Sequence, residues 1–271
     1  MGHRCRPPGA PMLSLLRYWL ISYYRTVATT YRHKLKQLLS AWPSAAPVSA
    51  AQLAALGVSA DLAVYYVRAG WLQRLGRGVY CRPGEALALN PCLLWLQGQI
   101  RGLHVGGKTA LDWYGVRHYL AQQPALHLYG WDSAQLPDWF CSRFGGDHHR
   151  KRLFTEDPSH MPGVEAFERR EAAPQVSCPE RALLELLDEV GVRQPLQEAR
   201  EITESAYALR ADVLMDLLRR CTRIKTVRLC LALGRDLSLP WSKQLDPSAL
   251  PTGSARPWIS RTHDGLLILK P

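Results

Sequence analysis

The strongest constraint on the fold lies between Ser49 and Pro83, where two short helical signals are followed at once by a glycine-cornered hairpin signal. Ser49 opens the run AAQLAALG, with a hydroxyl suited to cap a helix start and Gly57 suited to end it. Val58 and Ser59 read as a tight turn, and a further helix is expected from about Ala60 to Ala69, stopping at Gly70. Trp71 to Leu75 then reads as a short strand, Gly76-Arg77-Gly78 as a turn, and Val79 to Arg82 as the returning strand. A preceding amphipathic helix is expected over Tyr31 to Ala41, with Leu35, Leu38 and Leu39 on one side and Arg32, Lys34 and Lys36 on the other. Three short helices and a basic-tipped hairpin match a winged helix-turn-helix over residues 31–87.

Charge is distributed to suit that reading. The chain of 271 residues carries a formal charge of +11. Its first 87 residues hold eleven Lys/Arg, opposed only by Asp61 and Glu85, so nearly all the excess sits in the first third. That layout implies a polyanionic partner, here double-stranded DNA. On the helix from Ala60, Asp61, Tyr65 and Arg68 share one face, which puts Tyr65 and Arg68, with Tyr66 as a further candidate, toward a major groove. Arg74, Arg77 and Arg82 are then expected at phosphate or in the minor groove, and Lys34 and Lys36 at the backbone.

Residues 1–30 form an extension of uncertain origin. Met12 to Tyr24 is apolar, but Arg17 interrupts it and it is shorter than the ~20 residues of a membrane span. No clear cleavage site follows, and Met12 is a candidate start. No membrane partner is expected. The seven cysteines are odd in number and lack CxxC spacing, which argues for reduced thiols, a cytoplasmic location and no zinc knuckle.

From residue 88 to 271 the pattern predicts a larger mixed domain. A helix over Asn90 to Ile100 precedes short strands at Leu103–Val105, Ala125–Tyr129, Arg152–Phe154 and Val164–Arg169, with helices over Thr109–Tyr114 and Leu136–Phe144. Four helices follow from Pro179, Leu196, Arg210 and Ile224, and two strands, Pro257–Arg261 and Leu266–Leu269, close the chain. Strands first and helices later predict an α+β fold. Gly102 to Thr109 matches GxxxxGK[ST], but the expected strand lies inside the loop instead of before it, so a nucleotide-dependent enzyme using Lys108 is the weaker reading. Gly145 to Arg152, with its adjacent histidines, reads as a solvated basic loop without a metal, and the Glu165, Glu168, Glu171 spacing gives no paired acid and base.

The segments YYVRAGWLQRLGRGVY, HVGGKTAL, HLYG, LPDWF, PERALLELLDEV and KTVRLCLAL occur in the order that resembles AbiEi-type antitoxins of type IV toxin–antitoxin systems, over about residues 31–270. The resemblance implies a non-enzymatic autoregulator without a cofactor, whose N-terminal winged domain binds operator DNA through Tyr65, Arg68, Arg74 and Arg77. It also implies a C-terminal domain that counteracts a nucleotidyltransferase toxin without a stable complex, with Lys108, Arg223, Lys225 and Arg228 as candidate residues. A transcription regulator whose second domain senses a ligand or partner is the alternative. The extension over residues 1–30 does not match the family pattern.

Overall fold

The computed structural model describes residues 39–40, 42–116, 125–157, 159–169, 172–262 and 265–270. The extension over residues 1–30, most of the helix expected from Tyr31, and Lys34 and Lys36 lie outside them. The chain forms two compact units that divide after Leu87, and its architecture is mixed α+β.

In the first unit, strand β1 (Val48–Ser49) leads into helix α1 (Ala50–Ala55), and helix α2 (Ala60–Arg68) precedes strands β2 (Gln73–Gly76) and β3 (Val79–Cys81). Ser49 Oγ accepts from the Gln52 amide while Gln52 Oε1 accepts from the Ser49 amide, so both ends of a capping box close. Ser59, expected only as a turn residue, caps α2 by accepting from the Leu62 amide at 3.3 Å. The three strands form an antiparallel sheet in the order β1-β3-β2, and Gly78 turns the hairpin with a φ of 69° that a side chain would disfavour. Strand β1 was not expected from the sequence; two residues are too few to show an alternation, and pairing of Val48 with Tyr80 creates it.

Trp42, Val48, Leu53, Val58, Ala63, Tyr66, Leu72 and Tyr80 make the core of this unit. Helical periodicity sends Ala63 and Tyr66 inward and leaves Asp61, Val64, Tyr65 and Arg68 exposed. Tyr66 is 0% exposed, which corrects its expected place in a groove: the ring packs 5.6 Å from Trp71 within the core. Tyr66→Ala is expected to cost about 3–5 kcal/mol of stability, read by denaturant unfolding. A loss below about 1 kcal/mol would contradict the packing.

The second unit is built on a five-stranded sheet in the order β6-β5-β4-β8-β7. These strands are β4 (His104–Val105), β5 (His127–Gly130), β6 (Asp147–Arg150), β7 (Val164–Ala166) and β8 (Gln175–Ser177). β5 and β6 run parallel, as do β4 and β8, while the β4–β5 and β7–β8 pairs are antiparallel. The expected basic loop is therefore a strand, and the strand expected over Arg152 to Phe154 is only a single bridge from Phe154 to Cys221.

Helices α3 (Leu89–Gln97), α4 (Gly107–Trp113) and α5 (Asp138–Phe144) are interleaved with this sheet. After it come α6 (Pro179–Asp188), α7 (Leu196–Ser205), α8 (Ala211–Arg220) and α9 (Ile224–Asp236), and the hairpin of β9 (Trp258–Thr262) and β10 (Gly265–Leu269). Pro179 occupies the first turn of α6, where its missing N–H costs nothing. Every residue of α6 after Pro179 is buried, its four charged residues included. A helix buried all round must find a partner for each of those charges. Six described cysteines are free thiols, and no helix among the described residues is long and apolar enough to cross a membrane.

Candidate functional site

The outward face of α2 presents Asp61, Val64, Tyr65 and Arg68 one turn apart, and the hairpin beyond it presents Gln73, Arg74 and Arg77. Arg68 and Arg77 are exposed and have no ion-pair partner among the described residues. Arg74 Nε donates to the Gly76 carbonyl at 3.1 Å, which holds its stem along the hairpin and leaves the residue exposed. Tyr65 is half exposed, its ring set edge-on against Trp71 at 6.4 Å. Rigid aromatic support beneath an exposed helix face suits a surface that docks without rearranging.

Arg82 departs from its expected place. Its guanidinium donates to the Leu39 carbonyl at 2.6 Å and to the Trp42 carbonyl, lies over the Trp42 ring, and faces Glu85 at 3.7 Å. It ties the segment entering the unit to the end of the hairpin, so it is a structural clamp and not a free phosphate contact.

In the second unit, the GxxxxGK[ST] segment places β4 between its first and later glycines, with Gly106 at the start of α4. A phosphate cradle needs free backbone N–H groups at that point. Here the Gly107 amide donates to Glu185 Oε2 at 3.2 Å, so a protein carboxylate occupies the position. The paired glycines have a packing cause: a Cβ on Gly106 would sit 2.2 Å from Glu185 Oε2, and one on Gly107 would sit 2.6 Å from the Tyr129 hydroxyl. Lys108 points elsewhere and pairs with Glu198 at 2.6 Å.

Glu185 is the hub of a buried charge network. Its oxygens accept from Ser177 Oγ at 2.8 Å, Arg181 Nε at 2.8 Å and His104 Nε2 at 2.8 Å. His104 is held at both ring nitrogens, with Nδ1 lying 2.8 Å from the Gly102 carbonyl. Arg181 continues to Glu156 in a two-bond fork. Burial would raise the Glu185 pKa, but the charges and hydrogen bonds of His104 and Arg181 outweigh it and hold the carboxyl at about 2. The Arg181 guanidinium is thus shared between two buried carboxylates, and His104 completes the network. Arg181 and Glu185 stand one helical turn apart on α6, but the links to Glu156, Gly107 and His104 join residues 25 to 81 positions apart and were not visible in the sequence.

The chain was then compared with known proteins. A family model described as an AbiEi antitoxin N-terminal domain of a transcriptional regulator matches residues 31–122. A second, described as a transcriptional regulator, AbiEi antitoxin, type IV TA system, matches residues 123–270. The chain belongs to the AbiEi antitoxin family. The N-terminal family model runs past Leu87, so the family's own division falls inside the second structural unit. The crystal structure of the RV2827C protein from Mycobacterium tuberculosis shares the fold, with a TM-score of 0.52 and 17% identity over 84% of this chain and 89% of that one. A comparison with curated proteins finds no match.

Within this AbiEi-family chain the basic run from Arg219 to Arg228 is divided between surface and interior. Arg223 is exposed at the start of α9, and Arg220 pairs with Asp216 at 2.9 Å. Lys225 donates to the Asp188 and Val190 carbonyls at 2.5 and 3.0 Å, satisfying the C-terminal end of α6. Burial lowers its pKa. Arg228 is 3% exposed and donates to the carbonyls of Thr252, Ser254, Arg256 and Leu269, fastening the C-terminal segment onto α9. Lys225 and Arg228 are therefore structural clamps, which corrects their expected role as contact residues; a guanidinium with five donors suits four carbonyls as well as a phosphate.

Proposed function

We propose that the first unit is a winged helix-turn-helix that binds double-stranded operator DNA, and that this antitoxin represses its own operon in the cytoplasm. The observation that carries the reading is the exposed α2 face with Tyr65 and Arg68 beside a hairpin that exposes Arg74 and Arg77. The α2 residues supply groove contacts, each worth about 1–3 kcal/mol, and the hairpin arginines supply phosphate contacts. The second unit, in this proposal, neutralises a nucleotidyltransferase toxin without holding it in a stable complex. Lys108 and Arg223 remain its candidate surface residues, at a half-exposed ion pair and an exposed helix start.

The division of labour is tested in cells with the full chain. An Arg68→Glu/Arg77→Glu double variant, expressed at the normal level, is expected to lose repression of a reporter driven by its own upstream region while still protecting against the neighbouring nucleotidyltransferase. Retained repression would refute the DNA surface. Loss of both functions, with the protein folded, would refute the separation of roles.

A further inference from the structure

The strand that replaces the expected basic loop brings three metal-ligand side chains together. His127 opens β5, Asp147 opens β6 directly opposite it, and His149 lies two residues on, on the same face of β6. One ligand atom from each lies within 4.8 Å of the others. His127 Nδ1 is 3.0 Å from His149 Nε2, and that nitrogen is 3.7 Å from Asp147 Oδ2. Zinc bound at about 2.0–2.1 Å in tetrahedral geometry needs ligand atoms roughly 3.3 Å apart, close to both separations. We infer that His127, Asp147 and His149 form a binding site for a divalent transition-metal ion, zinc foremost.

A second observation supports this independently. Glu189 Oε1 is buried and accepts no hydrogen bond, though Lys151 Nζ lies 3.2 Å away. It sits 3.5 Å from His149 Nδ1, the nitrogen that must carry the proton once Nε2 holds a metal. A carboxylate behind a ligating histidine is the usual outer support of a metal site. Without the ion, His149 Nδ1 faces Arg193 Nη1 at 3.1 Å, so Nε2 carries the proton and donates to His127 Nδ1. Metal binding then needs a tautomer change at His149 and release of Arg193, while His127 Nδ1 already bears a lone pair. Arg193, half exposed, also lies 3.6 Å from Asp147 Oδ1, so the ion takes over its charge on both groups.

Three protein ligands leave a fourth position open. A cavity of about 40 Å³ adjoins His127 and His149, with Lys108, Glu189, Arg193 and Gln194 also in its wall, and is roomy enough for a bound water. The N₂O donor set excludes calcium and magnesium as preferred occupants and suits zinc or a neighbouring first-row ion. The site does not depend on the DNA-binding proposal.

The test is a Co²⁺ titration of the metal-stripped full chain, free of any histidine tag, followed by displacement with Zn²⁺. One equivalent of Co²⁺ is expected to bind, with visible absorption of a low-symmetry four-coordinate ion and no thiolate charge-transfer band. Asp147→Asn and His127→Ala, both at partly exposed positions, are expected to weaken binding at least tenfold while keeping the thermal transition of the metal-free chain. Glu189→Gln is expected to weaken it about 10–100-fold with the same ligand spectrum. Substoichiometric binding at micromolar Co²⁺, a thiolate band, or unchanged affinity in both ligand variants would overturn the site.

Discussion

Glu185→Ala is expected to remove about 3–5 kcal/mol of stability from the second unit, as large a loss as Tyr66→Ala in the first. The carboxylate is 2% exposed and joins His104, Arg181, Ser177 and the Gly107 amide. Its removal leaves the buried Arg181 charge with one carboxylate fewer and four donors, from β4, α4, β8 and α6, without their acceptor. Domains are stable by only about 5–15 kcal/mol, so the loss takes a large share of the margin. For a unit of this size it corresponds to a fall of roughly 10 °C in Tm. Glu198→Ala serves as the control: its carboxylate is more than a third exposed, and its ion pair with Lys108 is expected to contribute under about 1 kcal/mol. Equal stability of the two variants would refute the network as the organiser of this unit.

The same carboxylate sets an acid limit. Its pKa of about 2 in the folded chain lies below the 4.5 of the free side chain, so the folded state gains from its ionised form. That contribution is complete above pH 4.5 and is lost as pH falls toward 2, amounting to roughly 3 kcal/mol. The wild-type transition is therefore expected to fall through this window more steeply than that of Glu185→Gln, as followed by urea midpoints.

On DNA, Arg77→Glu is expected to weaken binding at least tenfold on every duplex, because a hairpin arginine at phosphate reads no sequence. Arg68→Ala is expected to cost about 1–3 kcal/mol on the operator and much less on unrelated DNA, because it removes a groove contact. Arg82→Ala separates charge from surface. It removes a positive charge of the same sign from the same unit, yet its donors are committed to the Leu39 and Trp42 carbonyls. It is expected to lower stability and leave the salt dependence of binding unchanged.

Much of the fold was legible because local periodicity and capping chemistry are local. The α2 face of Asp61, Tyr65 and Arg68, the Gly78 turn and the start of α6 at Pro179 follow from residues within a few positions of each other. Tyr66 was kept as a groove candidate beside Tyr65 although the same periodicity places it with Ala63 on the inner face, and its packing against Trp71 in the core shows how completely it turns in. Basic residues were misread where tertiary structure found another use for them: Arg82, Lys225 and Arg228 count as surface charge in a sequence but clamp carbonyls in the fold. The histidines of β6 were hidden for a related reason. Asp147 and His149 gain a third ligand only from β5, and the pairing of those two strands in parallel is set by the whole sheet.

The account rests most on α2 and the hairpin as a charged, duplex-gripping surface, and one measurement addresses it directly. The affinity of the full chain for a duplex from its own upstream region is measured by fluorescence anisotropy across a salt series, for wild type and Arg77→Glu. The wild type is expected to show log affinity falling linearly with log salt, and Arg77→Glu is expected to lose about 0.9 from that slope for the phosphate contact removed. A wild-type affinity indifferent to salt, or an Arg77→Glu slope and affinity equal to wild type, would contradict it.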